Sequence, residues 1–253
     1  MDTATLPRET FPEPPSAATY VQRREELEHY FDRTAADTWR ALTSDAPVSK
    51  VRATVRAGRE RMRSLLLSRL GDDLSGRTVF DAGCGTGALA AEAAARGAAV
   101  VARDLSPQMI ETARERNAAA LPEGAAPETG RIAFSSGDML DPALGDFDHV
   151  VAMDSLIHYE LADIVVALAS FAPRVSRSIV FTVAPRTPLL ATMHAVGKAF
   201  PRSDRSPAIA PVALGHLSNA VAETPVLAGF RLIAVERIVS GFYTSQAMEL
   251  VRR

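Results

Sequence analysis

Apolar residues recur along this chain with two different periods that alternate. Tyr20, Leu27 and Tyr30 lie at intervals of seven and three residues among charged side chains, and residues 51–66 continue this pattern in an arginine-rich stretch that Gly71 ends. Such spacing indicates amphipathic helices. After Gly71, short apolar runs and helical stretches follow one another in turn. This alternation predicts an α/β fold.

Seven short apolar runs predict β-strands. They occupy residues 79–82, 98–102, 131–136, 146–153, 178–183, 230–239 and 242–251. Helical patterns at 88–96, 106–120 and 164–171 separate runs among the first five, so we expect those strands to be parallel with right-handed crossovers. The last two runs flank Ser240-Gly241, as in a hairpin. We therefore expect a Rossmann-like sheet of seven strands, in which five are parallel and a C-terminal hairpin adds one antiparallel strand.

The domain organisation follows from composition shifts along the chain. Residues 1–19 contain four prolines and few large apolar residues, which predicts a flexible tail. Residues 20–70 form a helical N-terminal arm, and residues 71–253 form the α/β domain. The segment 185–229, between the fifth and sixth strands, is longer than a crossover needs, and extra length of this kind is often functional. We expect it to cap a substrate, with a packing or dimerisation insert as the alternative.

Composition limits the classes of function. A net charge of −2 argues against a protein whose main task is to bind nucleic acid. A single cysteine, Cys84, excludes internal disulfides and most cysteine metal sites, and its place between two glycines suggests a small filler. The sequence contains no run of 18 apolar residues and no signal-peptide pattern, so we expect a cytoplasmic protein. Peripheral contact with a membrane stays open.

The stretch 79–87 carries the clearest chemistry, because a strand runs directly into a glycine-rich turn and then a helix. Gly83 and Gly85 allow the backbone to come close to a ligand, and the N–H groups at the helix start face it. Asp104 ends the next strand, about 20 positions after the first glycine, which is the distance of a ribose-binding acid. The spacing is G-x-G-x-G, preceded by Asp81. It resembles motif I of class I S-adenosylmethionine (SAM) methyltransferases.

This resemblance implies a set of SAM contacts. Asp81 and the turn with Gly83 and Gly85 would hold the methionine end, and Asp104 would accept hydrogen bonds from both ribose hydroxyls. Asp138, after the third strand, would accept from the adenine amino group. Most arginines of the second helix suit a solvated face, but one of them would pair with the SAM carboxylate, and Arg56 is our choice. The residues expected to line the nucleotide pocket also include Leu105, Met139 and Met153.

A narrower resemblance involves five further blocks of sequence. They are Tyr30-Phe31 with Trp39, and the segments 49–52, 154–159, 181–185 and 200–205. Together they resemble the magnesium-protoporphyrin IX O-methyltransferases of chlorophyll and bacteriochlorophyll biosynthesis, over about residues 20–253. The resemblance implies that SAM methylates one propionate carboxylate of the Mg-porphyrin to give a monomethyl ester. The magnesium belongs to the substrate, so no protein-bound metal is expected.

The same resemblance suggests catalytic and substrate-binding residues. His158 would orient the propionate, and Tyr30 would cover the site. A propionate is ionised at neutral pH, so it needs no strong base before it attacks the sulfonium methyl. The magnesium chelatase that supplies the porphyrin is an expected partner. The residues expected to contact substrate are Arg202, Arg205, His194 and Tyr159.

Two alternatives remain at this point. The chain could methylate another small acceptor, such as a quinone hydroxyl, and His158 would then act as a general base. It could also be a scaffold that binds SAM or a pigment without catalysis. Turnover of labelled SAM with the Mg-porphyrin separates these alternatives from the porphyrin ester reaction.

Overall fold

A computed structural model describes residues 17–33, 50–186 and 209–253, and within them one sheet of seven strands. The strand order is β3-β2-β1-β4-β5-β7-β6. The strands are β1 (Thr78–Ala82), β2 (Ala99–Asp104), β3 (Ile132–Ser136), β4 (Phe147–Ala152), β5 (Val175–Val183), β6 (Phe230–Ser240) and β7 (Tyr243–Arg252). The α-helices of these residues are α1 (Ala17–Arg33), α2 (Lys50–Leu70), α3 (Ala88–Ala95), α4 (Pro107–Arg116), α5 (Leu161–Phe171) and α6 (Leu214–Glu223).

The strand directions confirm the predicted fold class. Strands β1 to β5 pair in parallel, whereas β7 runs antiparallel to both β5 and β6. The chain builds outwards from β1 to β3 and then returns to place β4 on the other side of β1. At such a switch point the connections leave in opposite directions and open a crevice at the carboxyl ends of the strands.

The two faces of the sheet bury two separate apolar clusters. Val79 and Phe80 are neighbours in β1, yet they belong to opposite clusters because successive strand residues point to opposite faces. On one face Phe80 stacks on Phe147 with ring centroids 5.0 Å apart, and the edge of Phe171 meets it at 6.1 Å. The other face buries Met62 and its neighbours on α2. Helices cover both faces, which explains why the parallel strands read as continuous apolar runs.

Two element boundaries differ from those expected. Helix α4 ends at Arg116 instead of about residue 120, because Asn117 has an extended backbone and its side-chain amide donates to the Ala113 carbonyl at 2.6 Å. Helix α1 begins at Ala17, inside the segment expected to be a tail. The remainder of that tail, residues 1–16, and residues 34–49 of the predicted arm, Trp39 included, lie outside the described residues.

The segment between β5 and β6 starts and returns at adjacent places. The N–H of Val212 donates to the Ala184 carbonyl at 2.8 Å, and the N–H of Arg186 donates to the Val212 carbonyl at 2.9 Å. Residues 187–208 of this segment lie outside the described residues. The chain then continues into α6, which packs against α5. Within the described ranges, no helix is both long and apolar enough to cross a membrane.

Candidate active site

Two glycines of the turn after β1, Gly83 and Gly85, are needed for different reasons. Gly83 has a φ of 83°, and a Cβ there would lie 2.4 Å from the Cβ of Ser155, so only glycine lets this turn pack against the end of β4. Gly85 has a φ of 53°, and a Cβ there would meet no protein atom within 4 Å. Gly85 also lines a cavity. The first glycine therefore serves packing, and the second keeps the backbone accessible to a ligand.

Asp104 joins the end of β2 to the glycine turn. Its Oδ2 accepts a hydrogen bond from the N–H of Gly85 at 2.8 Å, and its Oδ1 accepts one from the N–H of Ser106 at 3.0 Å. Ser106 in turn caps α4 by accepting from the N–H of Met109. Burial raises the pKa of Asp104 above its ordinary value, although these backbone N–H groups favour its charged form. The acid thus shapes the turn and lies in the cavity wall.

Asp81 lies beneath the same turn and is almost fully buried, with 1% of its surface exposed. Its Oδ2 finds no hydrogen-bond partner among the described residues. Burial and the charge of nearby Asp104 raise its pKa to about 7. A buried acceptor without a partner in a cavity wall is the arrangement that a cationic ligand group, such as an ammonium, would satisfy.

These acids line a cavity of about 280 Å³ at the carboxyl ends of β1, β2 and β4, beneath α1 and α2. A glycine cradle, the buried carboxylate of Asp81, the half-buried carboxylate of Asp104 and apolar side walls fit a nucleoside with an amino-acid tail, so the residues present suit SAM. Most of the residues predicted from sequence converge here. The predicted residues that line the cavity are Arg56, Asp81, Gly83, Gly85, Asp104, Leu105, Met139, Met153, His158 and Tyr159.

His158 stands between this cavity and a second cleft. It ends a short 3-10 helix, Leu156–His158, just after β4, and it is buried. Its backbone carbonyl accepts from Nε of Arg23 at 2.8 Å. The second cleft, of about 340 Å³, lies between α1 and residues 209–211, where the long segment returns to the sheet. The N–H of Ala210 donates to the Ile157 carbonyl at 2.9 Å and ties this returning segment to the His158 turn.

Comparison with protein families points to one class of enzyme. The family model described as magnesium-protoporphyrin IX methyltransferase C-terminus matches residues 152–252, and a methyltransferase domain model matches residues 79–177. The magnesium-protoporphyrin O-methyltransferase of Rhodobacter capsulatus is 51% identical over 232 residues, which cover 91% of this chain and 97% of that protein. This chain belongs to the magnesium-protoporphyrin O-methyltransferase family.

Other members of the family are similar over most of their length. The magnesium-protoporphyrin O-methyltransferase of Synechocystis is 28% identical, over 88% of this chain and 94% of that protein. The crystal structure of magnesium protoporphyrin IX methyltransferase from Synechocystis PCC 6803 with bound SAH superposes with a TM-score of 0.75 and 26% identity, covering 91% of this chain and 100% of that one. The predicted family and fold are thus confirmed.

Two predicted site residues of this methyltransferase lie elsewhere. Asp138 does not line the cavity, and its carboxylate accepts from the Tyr20 hydroxyl at 2.8 Å and from Arg24 at 2.8 Å, both on α1. Tyr30 also lies on α1, ten residues and about 15 Å further along the helix than Tyr20, and it does not line the cavity. That Tyr30 covers the site stays a prediction. The adenine contact of Asp138 stays a prediction, and it would have to coexist with both α1 contacts.

Tyr20 is the residue that sequence reasoning missed. Its ring stacks on Tyr159 with centroids 5.1 Å apart, and both rings line the cavity. Burial raises the pKa of each phenol above its ordinary value, so both hydroxyls stay protonated at neutral pH. The available signal was the seven-residue spacing of Tyr20 and Leu27, which places both on one helix face, and Leu27 lines the cavity too.

Three of the residues predicted to contact substrate have no described position. His194, Arg202 and Arg205 lie outside the described residues. Within the part of the chain that the structure describes, no group of three or more His, Cys, Asp or Glu side chains could hold a metal ion. Cys84 lines the cavity, but burial raises the pKa of its thiol, and this favours the filler role over that of a nucleophile.

Proposed function

We propose that this chain transfers the methyl group of SAM to a propionate carboxylate of Mg-protoporphyrin IX and forms the monomethyl ester. The observation that carries the proposal is the 51% identity to the Rhodobacter capsulatus enzyme over 91% of this chain. The cavity at the switch point of the sheet supports it, because ligands of open α/β sheets bind there. The reaction belongs to chlorophyll and bacteriochlorophyll biosynthesis.

We assign the contacts with SAM to the acids and the glycine turn of the cavity. When bound, SAM supplies an electrophilic methyl group on a sulfonium centre. Asp104 and Asp81 both line the cavity. We infer that Asp104 accepts hydrogen bonds from the two ribose hydroxyls and that Oδ2 of Asp81, which has no partner among the described residues, accepts from the ammonium of the methionine end. Leu105 and Met139 provide apolar walls for the adenine ring. On α2, both Arg56 and Arg59 line the cavity and are candidates for the SAM carboxylate.

The His158 side is suited to placing a carboxylate acceptor. A propionate is already ionised at neutral pH, so the protein has to hold one oxygen about 3 Å from the methyl carbon and exclude water. His158 lines both the SAM cavity and the second cleft, which is where an acceptor reaching for the methyl group would pass. We assign His158 the role of orienting the propionate. The stacked rings of Tyr20 and Tyr159 would shield the site from water.

The remaining substrate contacts are proposals from sequence. Arg202, Arg205 and His194 supply positive charge or hydrogen-bond donors in the segment 185–229, which suits a macrocycle that carries two propionates. We infer that the Mg-porphyrin comes from the magnesium chelatase that produces it. We also infer that contact with the photosynthetic membrane is peripheral, since the acceptor is a large apolar ring.

The proposal is tested by single-turnover methyl transfer from labelled SAM to Mg-protoporphyrin IX, with wild type and His158→Ala compared between about pH 6 and 9. We expect esterified porphyrin with wild type and a turnover about tenfold to 100-fold lower with the variant. Raising the pH should not rescue the variant, because the nucleophile is ionised throughout. A variant rate that climbs steeply with pH would reject the carboxylate mechanism, and SAM binding without any ester would reject the reaction.

A further inference from the structure

Asp154 is an acid of the cavity wall that the proposed function leaves without a role. It lies just beyond β4 and has a φ of 55°, the left-handed conformation that Asp and Asn tolerate better than other side chains. Its side chain is only 4% exposed. Left-handed residues cost conformational energy and persist where their surroundings hold them, often at functional sites.

Three hydroxyl groups hold the Asp154 carboxylate in one orientation. The Tyr243 hydroxyl donates to Oδ1 and Oδ2 at 3.1 and 3.3 Å, and the hydroxyls of Thr182 and Ser245 lie 3.3 and 3.4 Å from Oδ1. The N–H of Asp154 also donates to Oγ1 of Thr182 at 2.8 Å. Because these donors belong to β5 and β7, the sheet itself fixes the position of this carboxylate.

The same tyrosine brings α2 close to this carboxylate. A Cβ at Gly58 would lie 2.6 Å from Cδ1 of Tyr243, so α2 can approach the ring only because residue 58 is a glycine. One residue further along α2, Nη1 of Arg59 lies 3.4 Å from Oδ2 of Asp154. Arg59 is 24% exposed and lines the cavity. A planar guanidinium with five N–H donors can face a protein carboxylate and a ligand carboxylate together.

Arg59 and Asp154 lie at the end of the cavity where the amino-acid part of SAM would bind. Strands β2 and β4 flank β1, and neighbouring strands lie about 4.8 Å apart, so their ends are about 10 Å apart across the glycine turn. With the ribose at Asp104 on β2, the amino-acid end of the ligand points towards Asp154 and Arg59 beyond β4. We propose that Arg59 binds the α-carboxylate of SAM and that Asp154 is the positioning residue that holds Arg59. The inference rests on the proposed function only in taking SAM as the ligand.

The experiment compares SAM with decarboxylated SAM, which keeps the adenosine, the sulfonium and the ammonium but lacks the α-carboxylate. Calorimetry gives the ratio of the two dissociation constants for the full-length chain, without any porphyrin. We expect the wild type to bind decarboxylated SAM at least about tenfold more weakly than SAM, since a hydrogen-bonded charge pair is lost. Arg59→Ala should bring this ratio close to one. Arg61→Ala, an exposed arginine of the same helix, should keep the wild-type ratio.

Two further variants test the positioning role of Asp154. Asp154→Asn keeps a side chain that tolerates the left-handed backbone, and Tyr243→Phe keeps the ring that packs on Gly58 but removes the hydroxyl. We expect both to lower the ratio severalfold, whereas general loss of structure would weaken both ligands equally and leave the ratio unchanged. An unchanged or higher ratio in Asp154→Asn would overturn the positioning role.

Three further outcomes separate a failure of this inference from a failure of the proposed function. If Arg56→Ala, and not Arg59→Ala, abolishes the preference for SAM, the carboxylate assignment is wrong. If the wild type shows the expected ratio and the expected loss in Arg59→Ala but esterifies no porphyrin, the inference stands and the proposed function fails. A wild type that binds neither ligand contradicts both.

Discussion

The nucleotide wall of the cavity and the wall around His158 are built from different parts of the chain. On the nucleotide wall, a turn, a strand end and a helix cap within residues 81–109 bond to one another through backbone N–H groups. On the other wall, Tyr20 and Arg23 on α1 meet residues more than 100 positions away in sequence. The wall that we propose for the nucleotide is therefore defined by local geometry, whereas the wall proposed for the acceptor depends on how separate elements dock.

The largest effect should come from blocking the backbone of the nucleotide wall. Gly85→Val places a side chain in the open space that faces the cavity, so SAM binding should weaken at least about 100-fold while the protein stays folded. Gly76→Val is the matched control, because Gly76 also has a positive φ and open space around it but does not line the cavity. Calorimetry and thermal melting of both variants separate the ligand effect from backbone strain. Equal SAM affinity in the two variants would contradict the close approach.

A smaller loss is expected when the ribose acceptor is removed. Asp104→Ala should weaken SAM binding by about 2 kcal/mol, since a carboxylate that accepts two hydroxyl hydrogen bonds is lost. It should also lower thermal stability, because the N–H groups of Gly85 and Ser106 lose their acceptor. Ser106→Ala is the control: it removes the cap of α4, at about 1 kcal/mol of stability, and should leave SAM affinity nearly unchanged. Unaltered SAM affinity in Asp104→Ala would refute its ribose role.

The pH dependence of SAM binding tests the buried acid of the same wall. The pKa of Asp81 is raised to about 7, so the free protein carries a proton there that the unfolded chain would have released. Its contribution to stability is therefore present below about pH 4 and is lost as the pH rises through about 7. A ligand ammonium favours the ionised acid, so SAM affinity should rise about tenfold between about pH 5.5 and 7. Asp81→Asn should flatten this profile, and a sloping profile in that variant would assign the proton elsewhere.

The smallest effect should appear on the docked wall. Tyr20→Phe keeps the ring that stacks on Tyr159 but removes the hydrogen bond to Asp138, so the free energy of unfolding should fall by about 1 kcal/mol. We expect the Michaelis constant for the porphyrin to rise severalfold while SAM affinity changes little. Steady-state kinetics and denaturant melts check both. A loss of SAM affinity as large as that of Asp104→Ala would show that the two walls are not separable.

Sequence reasoning succeeded where the structure is local. The strand, glycine turn and helix around Gly85, the acid that ends β2 and the cap at Ser106 are each encoded within a few residues, and the structure brings them together. The rotation of α1 is not encoded in this way. Arg23 and Arg24 of α1 bond to His158 and Asp138, which lie more than 100 positions away in sequence, and these contacts accompany the packing of Tyr20 on Tyr159.

The pair of Arg59 and Asp154 was only partly predictable from the sequence. The sequence of α2 contains several arginines and gives no reason to prefer one, because it does not define the rotation of the helix. Arg56 and Arg59 both line the cavity. Gly58 was an unused signal. A glycine inside a long helix costs about 1 kcal/mol, and here it is required by the approach of Tyr243. A glycine in the middle of a helix therefore indicates that another part of the chain packs closely against the helix at that position.

The paired ends of the long segment bear on how this enzyme could be engineered. Ala184, Arg186 and Val212 exchange two backbone hydrogen bonds, so the sheet and α6 are joined there whatever sequence lies between residues 187 and 208. A segment of different length or composition could be spliced between the same two points without a change in strand register. If this segment caps the acceptor as proposed, the acceptor range could then be redesigned by exchanging the segment, while the residues of the nucleotide wall stay unchanged.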